Sequence, residues 1–321
     1  MKKYIIISLL LLSGCVQKKS AVPVVGFVDA FQDNTIAQAK DGFIDALKKN
    51  GFDEKTGNIK ILYRNAQGNI PTLTQIVNYF ISEPVDLIAA NASLSAITAI
   101  QKTRTVPVFM MVAPTPTLMK VLDQNGNPPS NLLGVGENLD YIDTSFLLIP
   151  RILNPTGNSE KTISVGMLFN QSEPQSVEAI DRIRQLSGKN HINLVALPVN
   201  SSADVQLVTA ALLNKNINAF FANPDNTVFA SFESIEKQCK QGKVPIFTSE
   251  AGLVSRGALV AYGADIYQWG FQAGEQAAAW LLSTDKKGFQ WEMVRLRKKV
   301  YNPSVAQIYG LSIPKDFEPV K

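Results

Sequence analysis

The sequence predicts an α/β fold: two Rossmann-like lobes with parallel sheets and a ligand cleft between them. Three observations support this. Short, nearly continuous apolar runs alternate with segments whose apolar residues recur at helical spacing. The Asn-, Gly- and Pro-rich segment 123–131 interrupts the alternation, which then begins again. Finally, 321 residues is about the length of two domains. Parallel strands covered by helices on both faces explain the apolar runs, because such strands are buried on both sides.

The first lobe is predicted to span residues 23–138. It opens with a β-branched strand at Val22–Val28 and a helix at Ile36–Asn50, and Gly51 stands where a helix C-cap is expected. The same alternation then predicts strands at Ile59–Tyr63, Asp86–Ala90, Val106–Val112 and Leu132–Gly136, and helices at Thr72–Ile81 and Ser95–Thr103.

The second lobe is predicted to span residues 139–263. The pattern predicts helices at Tyr141–Ile152, Ser176–Leu186, Ala203–Leu213 and Thr227–Gln241, and strands at Thr162–Phe169, Asn193–Leu197, Ala219–Ala222, Val244–Thr248 and Leu259–Tyr262. Part of residues 264–321 then completes each lobe. This last part carries a helix to about Leu282, a strand around Met293–Tyr301 and a helical tail, so the chain is expected to cross between the lobes more than once.

The composition excludes several classes of protein. With 45% hydrophobic and 18% charged residues, the chain is neither disordered nor collagen-like. The net charge is only +4, which gives little support to a basic nucleic-acid groove. The single histidine, His191, lies in a polar turn and is expected to be exposed, and Cys239 is expected on the inward face of a helix. With Cys15 as the only other cysteine, we expect no metal site, no cofactor and no enzymatic activity.

The N-terminus predicts the compartment. Lys2 and Lys3 precede an apolar run, Tyr4–Leu12, that is much shorter than the ~20 residues of a membrane-spanning helix. The run ends in Leu12-Ser13-Gly14-Cys15, which resembles a bacterial lipobox. We therefore expect residues 1–14 to be a signal peptide and residues 15–22 a tether, lipid-anchored through Cys15 in the cell envelope outside the cytoplasm. The alternative is an ordinary secretory signal with a chance cysteine.

The ligand site is expected in the loops that follow the strands, where helix N-termini converge. Ser93 and Ser95 lie at a helix start, where hydroxyl and backbone N–H groups suit a carboxylate. Asp225 and Glu250, in the other lobe, suit an ammonium group, and Phe31 adds an aromatic surface at the mouth. A small zwitterion would fit this arrangement. The alternative for each loop is an ordinary helix cap.

A series of short segments between about residues 22 and 314 resembles a known family by order and spacing. They are Gly42-Phe43-Ile44-Asp45-Ala46-Leu47, Asn65-Ala66-Gln67-Gly68, Pro84-Val85-Asp86-Leu87-Ile88, Val106-Pro107-Val108-Phe109, Asn223-Pro224-Asp225-Asn226-Thr227, Val244-Pro245-Ile246-Phe247, Arg256-Gly257-Ala258-Leu259, Asn302-Pro303-Ser304-Val305-Ala306 and Leu311-Ser312-Ile313-Pro314. Together they resemble the ABC-transporter substrate-binding lipoproteins related to tryptophan and tyrosine binders. The resemblance implies a type I periplasmic-binding-protein fold and an amino-acid-like ligand. It also implies an ABC permease and its ATPase as partners.

The resemblance also implies individual site residues. The hydroxyl loop that receives the ligand carboxylate matches Ser93 and Ser95, and the facing loops of the second lobe match Asn170, Ser176, Asp225, Asn226 and Glu250. Phe31, Asp33 and Thr115 complete the predicted ligand-binding set, although their loops depart from the family pattern. Pro114-Thr115-Pro116 stands where Thr-Asp-Pro is frequent, and Ala251 stands where an acidic residue is frequent. These departures affect the identity of the ligand more than the fold.

The sequence thus predicts a monomeric, lipid-anchored binding protein of an ABC importer, with an aromatic or other hydrophobic amino acid as ligand. A sensory protein of the same fold is one alternative, and a sugar or nucleoside transporter component is another. A sugar ranks lower because the loops offer only Phe31 for stacking and no arginine apart from the more distant Arg256.

Overall fold

The computed structural model describes residues 22–83, 85–157 and 162–320. The predicted signal segment and the lipid-attachment residue Cys15 lie outside these residues. No helix within the described ranges has both the length and the apolar character needed to cross a membrane.

The first part of the chain alternates strands and helices. Its elements are β1 Val24–Asp29, α1 Asn34–Lys49, a short 3₁₀ helix Glu54–Thr56, β2 Lys60–Asn65, α2 Ile70–Ser82, β3 Leu87–Asn91, α3 Ser93–Lys102, β4 Val108–Pro114 and β5 Leu132–Glu137. Side chains cap the helix starts: Asp33 caps α1 and Asn69 caps α2, each by accepting backbone N–H groups of the first turn.

The second part repeats the alternation. Its elements are α4 Asp140–Leu153, β6 Ile163–Asn170, α5 Pro174–Lys189, β7 Ile192–Val199, α6 Ser202–Leu213, β8 Ala219–Ala222, α7 Asn226–Ala230, α8 Phe232–Gln241, β9 Ile246–Thr248, α9 Ala251–Ser255 and β10 Val260–Ala264. The last part contains α10 Ile266–Leu282, β11 Glu292–Met293, β12 Arg297–Tyr301, α11 Pro303–Tyr309 and β13 Glu318–Pro319.

These strands form two sheets, so the predicted α/β fold with two lobes is confirmed. The first sheet has the order β11-β5-β4-β3-β1-β2, and all of its pairs are parallel. The second has the order β13-β12-β10-β9-β8-β6-β7. Here the prediction of purely parallel sheets needs a correction, because β12 runs antiparallel to β10.

Both faces of each sheet are covered. In the first sheet, Phe27 and Phe109 pack with α1 and α10, whereas Val28 and Met110 pack on the other face with α2 and α3. The second sheet is covered in the same way by α4 and α5 on one face and by α6 and α8 on the other. The central strands, such as β1 and β3, are therefore apolar on both sides, which explains their nearly continuous apolar runs in the sequence, whereas the edge strand β2 is partly exposed.

Two predicted elements differ from the structure, and helix α9 was missed. The helix predicted at Thr227–Gln241 is two helices, α7 and α8, which meet at Ser231. The strand predicted around Met293–Tyr301 is β11 and β12, which belong to different sheets because the chain passes from one lobe to the other between them. Helix α9 was not predicted, since five residues are too few to show a helical period.

The two lobes are connected more than once, as expected. Within the described ranges the chain passes between the sheets at β5–α4, at β10–α10 and at β11–β12. Helix α10 therefore returns to the first lobe and packs against α1 at very short range. A Cβ atom on Gly270 would lie 1.9 Å from the carbonyl oxygen of Ala39, and one on Gly42 would lie 2.0 Å from that of Tyr267. Only glycine permits this approach.

Two single-residue predictions are confirmed. Cys239 is fully buried in α8, in the same apolar cluster as Phe232 and Ile235. Burial raises the pKa of its thiol to about 12, so the thiol is neutral at physiological pH. His191 is exposed in the turn between α5 and β7.

Candidate functional site

A small cavity of about 40 Å³ lies between the lobes, at the carboxyl ends of the strands. This is the position at which open α/β sheets bind ligands. The cavity combines three kinds of side chain: the aromatic Tyr141, Phe229 and Trp269; the acidic Glu137, Asp225 and Glu250; and the neutral polar Ser93, Gln175 and Asn226.

Three aromatic rings give the cavity an apolar lining. Trp269 lies in the first turn of α10 and donates its indole N–H to the carbonyl oxygen of Val135 at 2.9 Å. Tyr141 lies in the first turn of α4, and Phe229 lies on α7. All three rings are buried. Such a lining favours a flat apolar group in the ligand.

The sequence prediction missed these rings. Tyr141 and Trp269 each follow directly on a passage of the chain between lobes. The available signal was therefore an aromatic residue in the first turn of a helix that begins a new lobe segment. This signal can be recognised only when the positions at which the chain passes between the lobes are known.

Glu250 is the N-cap residue of α9 and is almost completely buried. Its Oε1 accepts a hydrogen bond from the Tyr141 hydroxyl at 3.3 Å, and its Oε2 has no partner among the described residues. Burial raises the pKa of this carboxyl to about 8. The negative charge of Glu137 acts in the same direction, and the Tyr141 hydrogen bond opposes it. The free oxygen can accept a hydrogen bond from a ligand.

Asp225 also borders the cavity, but both of its oxygens have partners within the second lobe. Oδ2 accepts from the backbone N–H of Asn170 at 2.7 Å and from the hydroxyl of Ser176 at 2.6 Å. Oδ1 accepts from the backbone N–H of Val228 at 2.9 Å and so caps α7. Burial raises the pKa of Asp225 in spite of these bonds. Its contacts tie β6, α5 and α7 together.

Glu173 extends this polar cluster. Its Oε2 accepts from the backbone N–H of Asn226 at 3.0 Å, from the side-chain amide of Asn226 at 2.8 Å and from Gln175 at 2.8 Å. Burial, followed by the neighbouring charge of Asp225, raises the pKa of Glu173 to about 8. The structure thus brings Asn170, Ser176, Asp225 and Asn226 together as predicted and adds Glu173, which the predicted set did not contain.

The first lobe contributes the start of α3. Ser93 is the first residue of this helix and lines the cavity, whereas Ser95 is fully buried and its hydroxyl has no partner among the described residues. The N-cap residue Ala92 has φ 70° and ψ 159° and offers no side-chain cap. The N–H groups of the first turn therefore lack a side-chain acceptor, and such helix starts favour anions.

Two residues on this side of the cavity have a strained backbone. Besides Ala92, the cavity-lining Val112 has a positive φ of 50°, at an irregularity in the pairing of β4 with β5. For a β-branched residue this conformation is unfavourable. Strained residues of this kind are frequent at ligand sites. There the surrounding structure holds a conformation that lowers stability but serves binding.

The remaining predicted residues lie elsewhere. Asp33 caps α1 by accepting from Thr35 and Ile36 and is not among the residues that line the cavity. Thr115 donates its backbone N–H to the carbonyl oxygen of Glu137 at 3.0 Å and also lies outside the lining. Phe31 borders a second, outer cavity of about 790 Å³ between the lobes, together with Asn170. Ser176 and Ser95 lie behind the lining residues.

A group of contacts that we call the interlobe latch joins the two lobes beside the cavity. Arg256, at the end of α9 in the second lobe, donates to Asp33 at 2.8 Å and to the Thr35 hydroxyl at 2.7 Å in the first lobe. Glu233, also in the second lobe, accepts a further hydrogen bond from this guanidinium at 2.9 Å. The Arg256 guanidinium thus binds a carboxylate of each lobe. Because these contacts need the lobes to lie close together, the structure is in a closed arrangement.

The chain is similar to known proteins over almost its whole length. Residues 22–317 match a family described as ABC transporter substrate binding protein. A tyrosine-binding protein of Clostridioides difficile is 31% identical over 253 residues, which cover 79% of this chain and 71% of that protein.

Solved structures agree with this similarity. A conserved domain protein from Vibrio cholerae superposes with a TM-score of 0.84 at 26% identity, over 94% of this chain and 100% of the other. The ligand-free, open structure of a substrate binding protein with adhesive properties from Clostridium difficile has a TM-score of 0.67 at 25% identity, over 94% and 99%. A domain from Streptococcus pneumonia in complex with L-Trp has a TM-score of 0.83 at 19% identity, over 94% and 100%, which shows a common fold.

Proposed function

Because the chain belongs to the ABC transporter substrate-binding protein family, we propose that it captures an aromatic or other hydrophobic amino acid and delivers it to the permease of an importer. As a member of a family of binding proteins outside the cytoplasm, it is not an enzyme. Our proposal concerns three properties of this protein: its ligand, the direction of transport and its lipid anchor.

One observation carries the choice of ligand: three aromatic rings line the same cavity as a buried carboxylate oxygen that has no partner in the part of the chain that the structure describes. The rings suit an apolar side chain, Glu250 suits the ammonium group, and the start of α3 near Ser93 suits the carboxylate. The relative from Clostridioides difficile that binds tyrosine supports the same class of ligand.

The two-lobed geometry supports capture by closure. In the proposed mechanism, the ligand binds one lobe of an open form, and rotation about the three connecting segments brings the second lobe over it. Because the proposed ammonium and carboxylate contacts lie in different lobes, a bound amino acid stabilises the closed form specifically. A ligand that contacts only one lobe would bind both forms equally and would not drive closure.

A thermal-shift screen followed by calorimetry tests the ligand. Tryptophan, tyrosine and phenylalanine are compared with their decarboxylated and N-acetylated analogues and with nucleosides and sugars. A ligand at a hundred times its Kd should stabilise the protein by about 2.7 kcal/mol. We expect this for an aromatic amino acid and not for its analogues. Stabilisation by nucleosides or sugars alone would overturn the proposal.

Glu250→Gln provides the matched variant for this screen. The loss of a hydrogen bond to a charged group costs about 1.5–3 kcal/mol, so the variant should bind an aromatic amino acid roughly tenfold to hundredfold more weakly. Glu275→Gln is the control, because Glu275 lies on the exposed side of α10 and pairs with Lys49. That variant should bind as the wild type does.

The proposed lipid anchor has its own test. Cys15→Ser should abolish the incorporation of a labelled fatty acid, since only the thiol can form the thioether. Cys239→Ser should leave the label unchanged because that thiol is buried. Equal labelling of wild type and Cys15→Ser would contradict the anchor.

A further inference from the structure

The carboxylates that line the cavity differ in how their charge is compensated. Both oxygens of Glu137 accept from Arg297, at 3.1 and 2.7 Å. Both oxygens of Asp225 accept from partners in the second lobe. Glu250 alone among the cavity carboxylates in the described ranges keeps an oxygen without a hydrogen-bond partner.

Within residues 22–83, 85–157 and 162–320, the surroundings of Glu250 supply no cation. The titratable groups that act on it are Tyr141 on α4 and Glu137 at the end of β5. The guanidinium of Arg297 is committed to Glu137. Asp225, which precedes α7, also borders the cavity, but its own partners already hold it. The other helices that border the cavity contribute only neutral side chains: Ser93 on α3, Gln175 on α5, Asn226 on α7 and Trp269 on α10.

A buried carboxylate without a cation or a full set of donors is strongly disfavoured, so the group takes up a proton instead. The raised pKa of Glu250 agrees with this geometry. In the empty cavity Glu250 is therefore a carboxylic acid at neutral pH. A bound ammonium group would favour the ionised form of Glu250, because it supplies a positive charge and donates a hydrogen bond directly to Oε2.

We propose that the ammonium group of the ligand replaces the proton on Glu250, so that each binding event releases a proton to solvent. This inference rests on the proposed function, since it needs a ligand that carries an ammonium group. The exchange is balanced: the acid proton goes to water or buffer, the ammonium keeps its three protons, and the product is a buried ion pair.

The exchange fixes the sign of the pH dependence. Below the pKa of Glu250 the proton competes with the ligand, so affinity should rise about tenfold for each pH unit between about pH 5.5 and 7.5. Above about pH 8 the carboxyl is already ionised in the empty protein, and the affinity should level off. The number of protons released falls from about one to zero over the same transition.

Calorimetry of the wild-type protein with tryptophan or tyrosine provides the measurement. Titrations at about pH 6.5 in buffers of different ionisation enthalpy give the number of protons released, and we expect about one. In Glu250→Gln the release and the pH dependence should both disappear. Glu275→Gln is the control, because Glu275 is a carboxylate on the exposed side of α10, away from the cavity, where it pairs with Lys49; the release should persist there.

The outcomes separate this inference from the proposed function. Tight binding of an aromatic amino acid with no proton released and a flat pH profile overturns the inference alone. Unchanged release in Glu250→Gln, or its loss in Glu275→Gln, also overturns it. No binding of any aromatic amino acid at any pH overturns the proposed function and the inference together. The wild-type buffer series decides the question even if Glu250→Gln folds poorly.

Discussion

At the scale of single residues, the structure assigns different functions to two carboxylates for which the sequence predicts the same function, binding of an ammonium group. Asp225 and Glu250 both follow strands of the second lobe and both border the cavity. Asp225 is held by Asn170, Ser176 and Val228, whereas Glu250 has a free oxygen. Strand-end position predicts that a residue borders the site. It does not show which of its hydrogen bonds are already formed.

This difference predicts a stability effect at Asp225. Asp225→Ala removes the cap of α7, which typically costs about 0.5–2 kcal/mol, and it leaves the Ser176 hydroxyl without its acceptor. The Asn170 N–H loses its shorter hydrogen bond and keeps only the one to Ser176 Oγ at 3.1 Å. Chemical denaturation of the ligand-free protein should therefore show a clear loss of stability. Glu250→Gln should show little or none. Equal stability of both variants would contradict this division.

At the scale of elements, the contact between α1 and α10 depends on glycine. Gly270→Ala places a methyl group against the backbone of α1, where a Cβ would lie 1.9 Å from an oxygen. Forced overpacking of this kind typically costs about 1–3 kcal/mol, so the variant should unfold at lower denaturant concentration. Gly188→Ala is the matched control: this residue is also helical, and nothing lies within 4 Å of its Cβ position. Alanine should be neutral or stabilising there.

Local patterns predicted most of the elements but not the breaks between them. The buried strands and amphipathic helices have long periodic signals, and their predicted positions agree with the structure to within a few residues. Residues 293–301 were predicted as one strand, although β11 and β12 belong to different sheets. The passage between lobes is decided by tertiary packing, so no local pattern marks it.

At the scale of the whole molecule, the interlobe latch predicts a contribution to closure. Arg256→Met removes both hydrogen bonds to the first lobe and leaves the Asp33 carboxylate without its cation. Since these bonds exist only when the lobes are closed, ligand affinity should fall roughly tenfold or more. Arg184→Met is the control, because Arg184 forms an exposed pair with Asp181. Calorimetry compares the two variants, and equal affinities would argue against the latch.

The candidate site shows the same limit of prediction at this scale. Loops at strand ends pointed to Ser93, Asp225, Asn226 and Glu250, which the structure does bring to one cavity. The aromatic lining was missed because its position depends on how the two lobes face each other. Asp33, predicted as a ligand contact, instead caps α1 and joins the interlobe latch.

The late return of the chain to the first lobe has a consequence for biogenesis. Together with α1, helix α10 covers the face of the first sheet that carries Phe27 and Phe109, yet it is synthesised after most of the second lobe, from α4 to β10. Until residues 266–282 emerge, α1 alone covers that apolar face, and the first lobe cannot complete its core. In a family of proteins that work outside the cytoplasm, this order favours export of the chain before the first lobe has folded.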